Sequence, residues 1–549
     1  MRSALRLLAV TALVLGLYTG TASAQVKILA DDDPFQAFKI DKLFDDPWAA
    51  THSDFAFWGN YAVLGWYTAS TGGVHIYDIS DPASPDEIRN FTCNGNQNDP
   101  ILWDRNGNGA PDLLLLAVDR TMDGTACDAS VSNRVNAAGQ TVRFDANPNG
   151  WEGVRVFEVS DGSADFPGAP FASIVQVDAQ YTDCGAHTIT ANTKFAADPV
   201  NPRLVVYVQS YPLRPGPTCG QTGSLTAQKP FENVTNPFDD DKVVNDPLLR
   251  QIQVLNVPLN NPANTTEIAH PAISYRIDGW PKDPDGQQDW SEKGLTGLEP
   301  AAVACHDVVI HVPDNILGAA CAEQGQVWEV DPDTLIPDTL NPMAVGDDEL
   351  SSGGEGQFPG AIDFFHSVMF DNGMETVNWV DESFGAGCPT MTTWQPRPWN
   401  PAGGTHKTGS MFFSDMEGNY LSMFNVGDVR PDPRDGEYCS SHMGMTVTGI
   451  ERDLLVNAWY TGGVDVIDFT KPTRLKEIAY YDTSRQTGTW SAYPYTGPMF
   501  KNGPGVPVYA SDGVEDNANA RGMEVFRAIV PKPGKPRLLD HLNPQTMEE

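Results

Sequence analysis

The sequence predicts an all-β fold, a single seven-bladed β-propeller of four-stranded antiparallel blades with long loop insertions. Three observations predict it. First, one strand signature recurs seven times, a turn residue followed by alternating apolar positions: GGVHIYDIS (72–80), EGVRVFEVS (152–160), RQIQVLNVP (250–258), GQVWEVDP (325–332), NYLSMFNVG (419–427), GGVDVIDFT (462–470) and RGMEVFRAI (521–529). Second, upstream of each lies a stretch that fits an innermost strand, beginning near His52, Asn98, His187, His306, His366, His442 and Trp490. Third, 50 Gly and 43 Pro are interleaved with the apolar runs, as a turn-rich all-β chain needs.

The first copy sets the pattern. Residues 52–57 are short and half apolar, 61–67 strongly apolar after the Gly59-Asn60 turn, and 74–79 alternate after Gly72-Gly73. A fourth strand, 86–91, follows a Pro-containing turn. A lone blade of this kind cannot bury both faces, and packing it between neighbours in a closed ring does. Seven such blades need fewer residues than the chain has. The surplus falls in insertions at 94–150, 211–249, 273–300 and 383–409, expected as loops on the propeller faces, where binding usually lives.

Two copies carry a family resemblance. HSDFAFWGNYAVLGWYTASTGGVHIYDISDPASPDEI and SHMGMTVTGIERDLLVNAWYTGGVDVIDFTKPTRLKEI (441–478) resemble LVIVD repeats, whose unit runs from a His-led strand to a strand of the form G-apolar-x-apolar-apolar-D-apolar-[ST]. The match is close in copies one and six, moderate in three, four and seven, and weak in two and five. The large insertions, and the missing leading His in copies two and seven, depart from the pattern. The resemblance implies an exported bacterial β-propeller and no settled activity.

The chain divides into a secretory signal (1–24), an N-terminal extension (25–51) and the propeller (52–549). Arg2 and Arg6 precede an apolar run at 7–17, and Ala22-Ser23-Ala24 fits a cleavage site. The run is too short to span a bilayer, and no later stretch reaches that length. Export to the periplasm or the extracellular medium is expected. The formal charge is −37, or −39 without Arg2 and Arg6, which argues against nucleic acid and anionic membranes as partners. Eight Cys suit an oxidising compartment. Cys93/Cys127, Cys184/Cys219, Cys305/Cys321 and Cys388/Cys439 form a natural sequential pairing, although spacing alone does not fix connectivity.

Five of the ten His lead an innermost strand: His52, His187, His306, His366 and His442. Equivalent positions on different blades form a ring around the central channel. His187, His306, His366 and His442 come from four consecutive blades, and imidazoles converging on an axis suit a transition-metal ion. The competing role is structural, with each His bonding the backbone of a neighbouring blade. Asp54 and Asp307 are either acceptors for ring N–H groups or turn residues. Asp104, Asn106, Asn108, Ala110 and Asp112, in DRNGNGAPD, place oxygen ligands at alternate positions around a Gly, as a short calcium loop does. Leu115 stands where an EF-hand needs Glu, so that motif fails. Trp394, Trp399, Trp490 and Tyr493 are aromatic positions that suit a flat ligand such as a sugar.

No G-x-S-x-G, H-E-x-x-H, G-x-x-x-x-G-K-[ST], G-x-G-x-x-G or C-x-x-C-H occurs, so the enzyme classes built on them lose support. The expected function is binding of a small molecule, glycan or protein through face loops, with calcium stiffening a loop. The alternative is a metal-dependent enzyme, an oxygenase or a lyase/hydrolase, with a four-His axial metal.

Overall fold

Alternating apolar runs bounded by Gly, Pro, Asn and Asp form strands in a computed structural model. It describes residues 36–130, 151–209, 252–273, 305–347, 365–382, 409–429, 440–482, 488–497, 505–512, 522–530 and 538–548, apart from 69, 183–184, 272 and 322–323, and also 362 and a few two-residue strands. The strands assemble in chain order into four-stranded antiparallel meanders. The first sheet runs Thr51–Trp58, Tyr61–Tyr67, Gly72–Asp78, Asp86–Thr92, and the second Gln97–Trp103, Leu113–Met122, Trp151–Val159, Ile174–Tyr181. The third holds Thr188–Asn192, Arg203–Gln209, Gln253–Pro258, Thr266–Ala269, and the fourth Asp307–His311, Ile316–Cys321, Gln324–Glu329, Ala344–Asp347. The fifth is Phe365–Phe370, Thr376–Asp381, Met411–Asp415, Tyr420–Phe424, and the sixth Ser441–Thr446, Leu454–Trp459, Gly463–Asp468, Lys476–Asp482. The last sheet takes Thr489–Pro494, Val506–Asp512 and Gly522–Ala528, then Ile40–Asp46 as its outer strand.

Period-two alternation sends each sheet's apolar side chains both ways. Phe55 and Phe57 of the first sheet pack with Tyr493, Tyr495 and Tyr509 of the last, Phe57 stacking on Tyr495 at 4.7 Å. Ala56, Val63, Val74 and Ile76 pack instead with Leu102, Leu114, Leu116 and Phe157 of the second sheet. Gly65 faces the second sheet at close range. A Cβ there would lie 2.5 Å from the Asn98 carbonyl oxygen, so only glycine fits.

Short polar side chains tie most of the first strands to the next. Ser53 donates to the Gln97 carbonyl (2.6 Å), and Ile189 N–H to Asp99 Oδ2 (2.7 Å). Thr188 and Thr190 donate to the His306 and Val308 carbonyls, and Ser367 to that of His442. Met443 pairs with Ser491 in parallel, and Ser491 returns to the Ser53 carbonyl (3.1 Å), joining the last sheet to the first. The result is an all-β, propeller-like arrangement.

The C-terminal segment crosses the opposite ends of these first strands. Leu542 pairs with Phe57, Asn543 bonds both N–H and C=O of Leu102, and Thr546 donates to the Ala191 carbonyl. Ile310 N–H reaches the Gln545 carbonyl, and Leu542 and Met547 are buried.

Two sequence expectations need amendment. In the fifth copy, residues 419–427 were expected as a third strand. The third strand is Met411–Asp415, buried at four of its five positions, and Tyr420–Phe424 is the half-buried outer strand. The long insertion between the second and third strands displaced the repeat. Residues 40–46, set apart as an extension, complete the last sheet. Cys93–Cys127 and Cys305–Cys321 are bonded, as their spacing suggested. Cys184, Cys219 and Cys439 lie outside the described residues.

Candidate metal centre

Four of the leading histidines converge. Each stands at the entry to its sheet's first strand, and the ties between strands bring the four rings together. His187 meets His306 edge-on at 4.5 Å between ring centroids, His306 meets His366 at 3.8 Å, and His366 meets His442 at 4.0 Å. All four are buried.

Two of the rings are oriented from behind. His187 Nδ1 lies 2.6 Å from Asp119 Oδ2, and His442 Nδ1 donates to the Trp490 carbonyl at 2.5 Å. Both contacts use Nδ1 and leave Nε2 on the far side of the ring, the arrangement that orients imidazole ligands. Glu382, just past the end of Thr376–Asp381, adds a carboxylate. Its Oε2 is 3.5 Å from His366 Nε2 and its Oε1 3.9 Å from His442 Nε2. The Tyr460 hydroxyl donates to Oε1 and holds the group in place. His366, Glu382 and His442 offer ligand atoms all within 4.8 Å of one another, a buried set that could hold a metal ion.

Electrostatics keep the rings ready. Burial is the main cause that pushes the His306 and His366 imidazoles well below their usual range, and neighbouring imidazoles add to it. Burial brings His442 down to about 3, against the opposing pull of the Trp490 carbonyl. Neutral imidazole is the form that binds metal, so no proton has to leave these rings at neutral pH.

Beneath the rings the channel is acidic. Asp54, Asp99 and Asp307 are buried on three first strands. Burial raises all three carboxyls, Asp54 to about 6, and their mutual repulsion adds to it for Asp99 and Asp307. Neither Asp54 nor Asp307 is a turn residue. Asp54 accepts from the Tyr493 hydroxyl at 2.5 Å, and Gln545 of the C-terminal segment donates to the same hydroxyl at 3.3 Å. The carboxylate behind a ring is Asp119, which the sequence did not single out.

The other expected sites are placed as follows. In the 104–112 loop Asp104 accepts backbone N–H groups from Asn106, Gly107 and Gly109. Asn106 and Asn108 donate their amides to Asp161, and Arg105 Nε holds Asp112 at 3.1 Å. The loop is thus braced by the chain's own donors, with Ala110 N–H closing on Asn108. Trp490 packs on His442 at 4.7 Å, as part of the metal centre's wall. Tyr493 is buried between the last sheet and the first, edge-on to Phe55 at 6.4 Å, rather than set in a face loop. Trp394 and Trp399 lie outside the described residues.

No family model matches the chain, and no curated protein matches it. Among solved structures it is similar to the crystal structure of Saccharomyces cerevisiae Sqt1, over 89% of this chain and 88% of that one, at 8% identity and a TM-score of 0.39. So distant a likeness carries no argument. Among the described residues no helix is long and apolar enough to cross a membrane, and the two disulfides fit an oxidising compartment.

Proposed function

We propose that this chain is an exported metalloenzyme built on a seven-bladed propeller of LVIVD-like repeats. One transition-metal ion sits on the axis, held by His187, His306, His366 and His442 with Glu382 at the edge. The observation that carries the reading is the approach of four buried imidazoles from four consecutive sheets, at centroid separations of 3.8–4.5 Å. Imidazoles sharing one ion at about 2.0–2.1 Å stand roughly 4.5–5 Å apart between centroids, so the His306–His366 and His366–His442 pairs would part slightly on loading. His306 and His442 also bond neighbouring backbone, at His366 and Trp490, but the Glu382 carboxylate beside His366 and His442 is something backbone bonding does not require.

The donor set suits iron, copper or zinc more than calcium or magnesium. When bound, the ion would supply Lewis acidity or redox chemistry, which fits an oxygenase or a lyase/hydrolase. The chain's own contribution is clearer. Asp119 and the Trp490 carbonyl fix ring orientation, and Glu382 is placed to accept a proton beside His366 and His442. Binding of a glycan or protein through face loops has no comparable support, and calcium on the 104–112 loop gains no observation of its own.

The test is elemental analysis of untagged protein, wild type against His306→Ala. The expected result is one equivalent of iron, copper or zinc that His306→Ala loses. A wild type that takes up no transition metal after reconstitution overturns the reading.

A further inference from the structure

A second pair of imidazoles lies at the seam between the first sheet and the last. His52 makes its ring contact with His75 rather than with the four axial rings, at 5.6 Å between centroids. Both rings are fully enclosed, at 0% exposure. Each has Nδ1 committed. His52 Nδ1 lies 2.9 Å from the Asp512 carbonyl oxygen of the last sheet, and His75 Nδ1 lies 2.7 Å from Glu87 Oε1. A carbonyl and a carboxylate only accept, so the proton sits on Nδ1 and each Nε2 carries a lone pair. Neither Nε2 has a hydrogen-bond partner.

The strand order aims one of these lone pairs. Glu87 is on the outermost strand of the sheet and His52 on the first, with His75 on the third between them. Glu87 draws Nδ1 outward, which turns His75 Nε2 inward, toward the side where His52 lies. Burial lowers His52 to about 3 and His75 to about 4, so both rings are neutral at neutral pH. Two buried acceptors without a donor cost free energy in a protein that holds nothing between them.

We propose that His52 and His75 bind a second transition-metal ion at this seam, of the kind that accepts two imidazoles alone, cuprous copper. Two rings on a two-coordinate ion at about 2 Å stand roughly 6 Å apart between centroids when the N–Cu–N angle is near linear, so the 5.6 Å seen here calls for a small outward shift of the rings. Glu87 then stands behind His75 as carboxylates stand behind histidine ligands elsewhere. Among the described residues no third His, Cys, Asp or Glu completes a three-ligand set here, which is what singles out a two-coordinate ion. The site is separate from the axial centre and does not depend on it.

Anaerobic titration of the metal-free full chain with Cu(I) tests the site, comparing wild type, His75→Gln and His306→Ala. Two equivalents are expected in the wild type. His75→Gln should keep the axial ion alone, and His306→Ala the seam ion alone. A His75→Gln that binds as much copper as the wild type overturns the site. So does a wild type whose only equivalent disappears in His306→Ala, since His52, His75 and the Trp66 indole N–H would then share a buried water. A single equivalent lost only in His75→Gln keeps the seam site and removes the axial one. If His75→Gln folds poorly, copper K-edge absorption on His306→Ala loaded with one equivalent decides. Two nitrogen neighbours are expected, and a higher-coordinate or unbound copper overturns the proposal.

Discussion

His306 and His366 stand on the first strands of adjacent sheets with their rings 3.8 Å apart, closer than either flanking pair of the four. Two imidazolium ions could not be buried at that distance, so the pair exists as neutral rings.

Asp119 acts through His187. Replacing it by Asn keeps a side chain of the same size but removes the anionic acceptor at 2.6 Å. Affinity for the axial ion should fall about 10- to 100-fold, read by competition with a calibrated chelator. The melting temperature of the metal-free protein should change little. An unchanged affinity would show that His187 needs no orienting partner.

Glu382 contributes charge as well as shape. Glu382→Gln preserves an oxygen acceptor for the Tyr460 hydroxyl while removing the negative charge beside His366 and His442. Ion affinity is expected to drop about tenfold or more, which corresponds to roughly 1.4 kcal/mol. Tyr460→Phe, which leaves the charge in place, should cost less.

Asp99 gives the fold a pH dependence of predictable sign. Burial is the main cause that raises its carboxyl well above the usual value of 3.8, with repulsion from Asp54 adding to it. A folded-state pKa above the unfolded one means that the native state binds the extra proton. The stability this proton contributes is complete below about 3.8 and is lost as pH rises through the folded pKa. Asp99→Asn keeps an acceptor for Ile189 N–H and removes the titration. The variant should therefore be more stable than the wild type at pH 8, with the difference shrinking at pH 5. Equal differences at both pH values would contradict the assignment.

The C-terminal segment should act as a clasp. Deleting residues 538–549 exposes the partners of Leu542 and Met547, each worth about 1.5–3 kcal/mol when fully buried, or about 3–6 kcal/mol together. Chemical denaturation should show a loss of that size. A loss below about 1 kcal/mol would mean that the segment merely rests on the strand ends.

The histidines were legible because they occupy one position of a repeated strand, so the repeat itself announced that they would meet. Glu382 and Asp119 were not, because each sits at the end of a second strand where no spacing marks it. Asp161, which braces the 104–112 loop, is distant in sequence from that loop and gave no signal either. In the fifth copy the alternation of YLSMF was read as a third strand, but an outer strand alternates as well, and only burial distinguishes the two. That residues 40–46 would close the last sheet could not be read from IDKLFDD, whose charges suit any exposed edge.

The four-histidine centre is tested most directly by anomalous diffraction from crystals of the metal-loaded protein at the absorption edge of the bound ion. The expected result is an anomalous peak on the axis about 2.0–2.3 Å from ring nitrogens of His187, His306, His366 and His442. A map with no peak among the four rings, from protein that has been offered iron, copper and zinc, would contradict the centre and return these histidines to the architecture of the repeat.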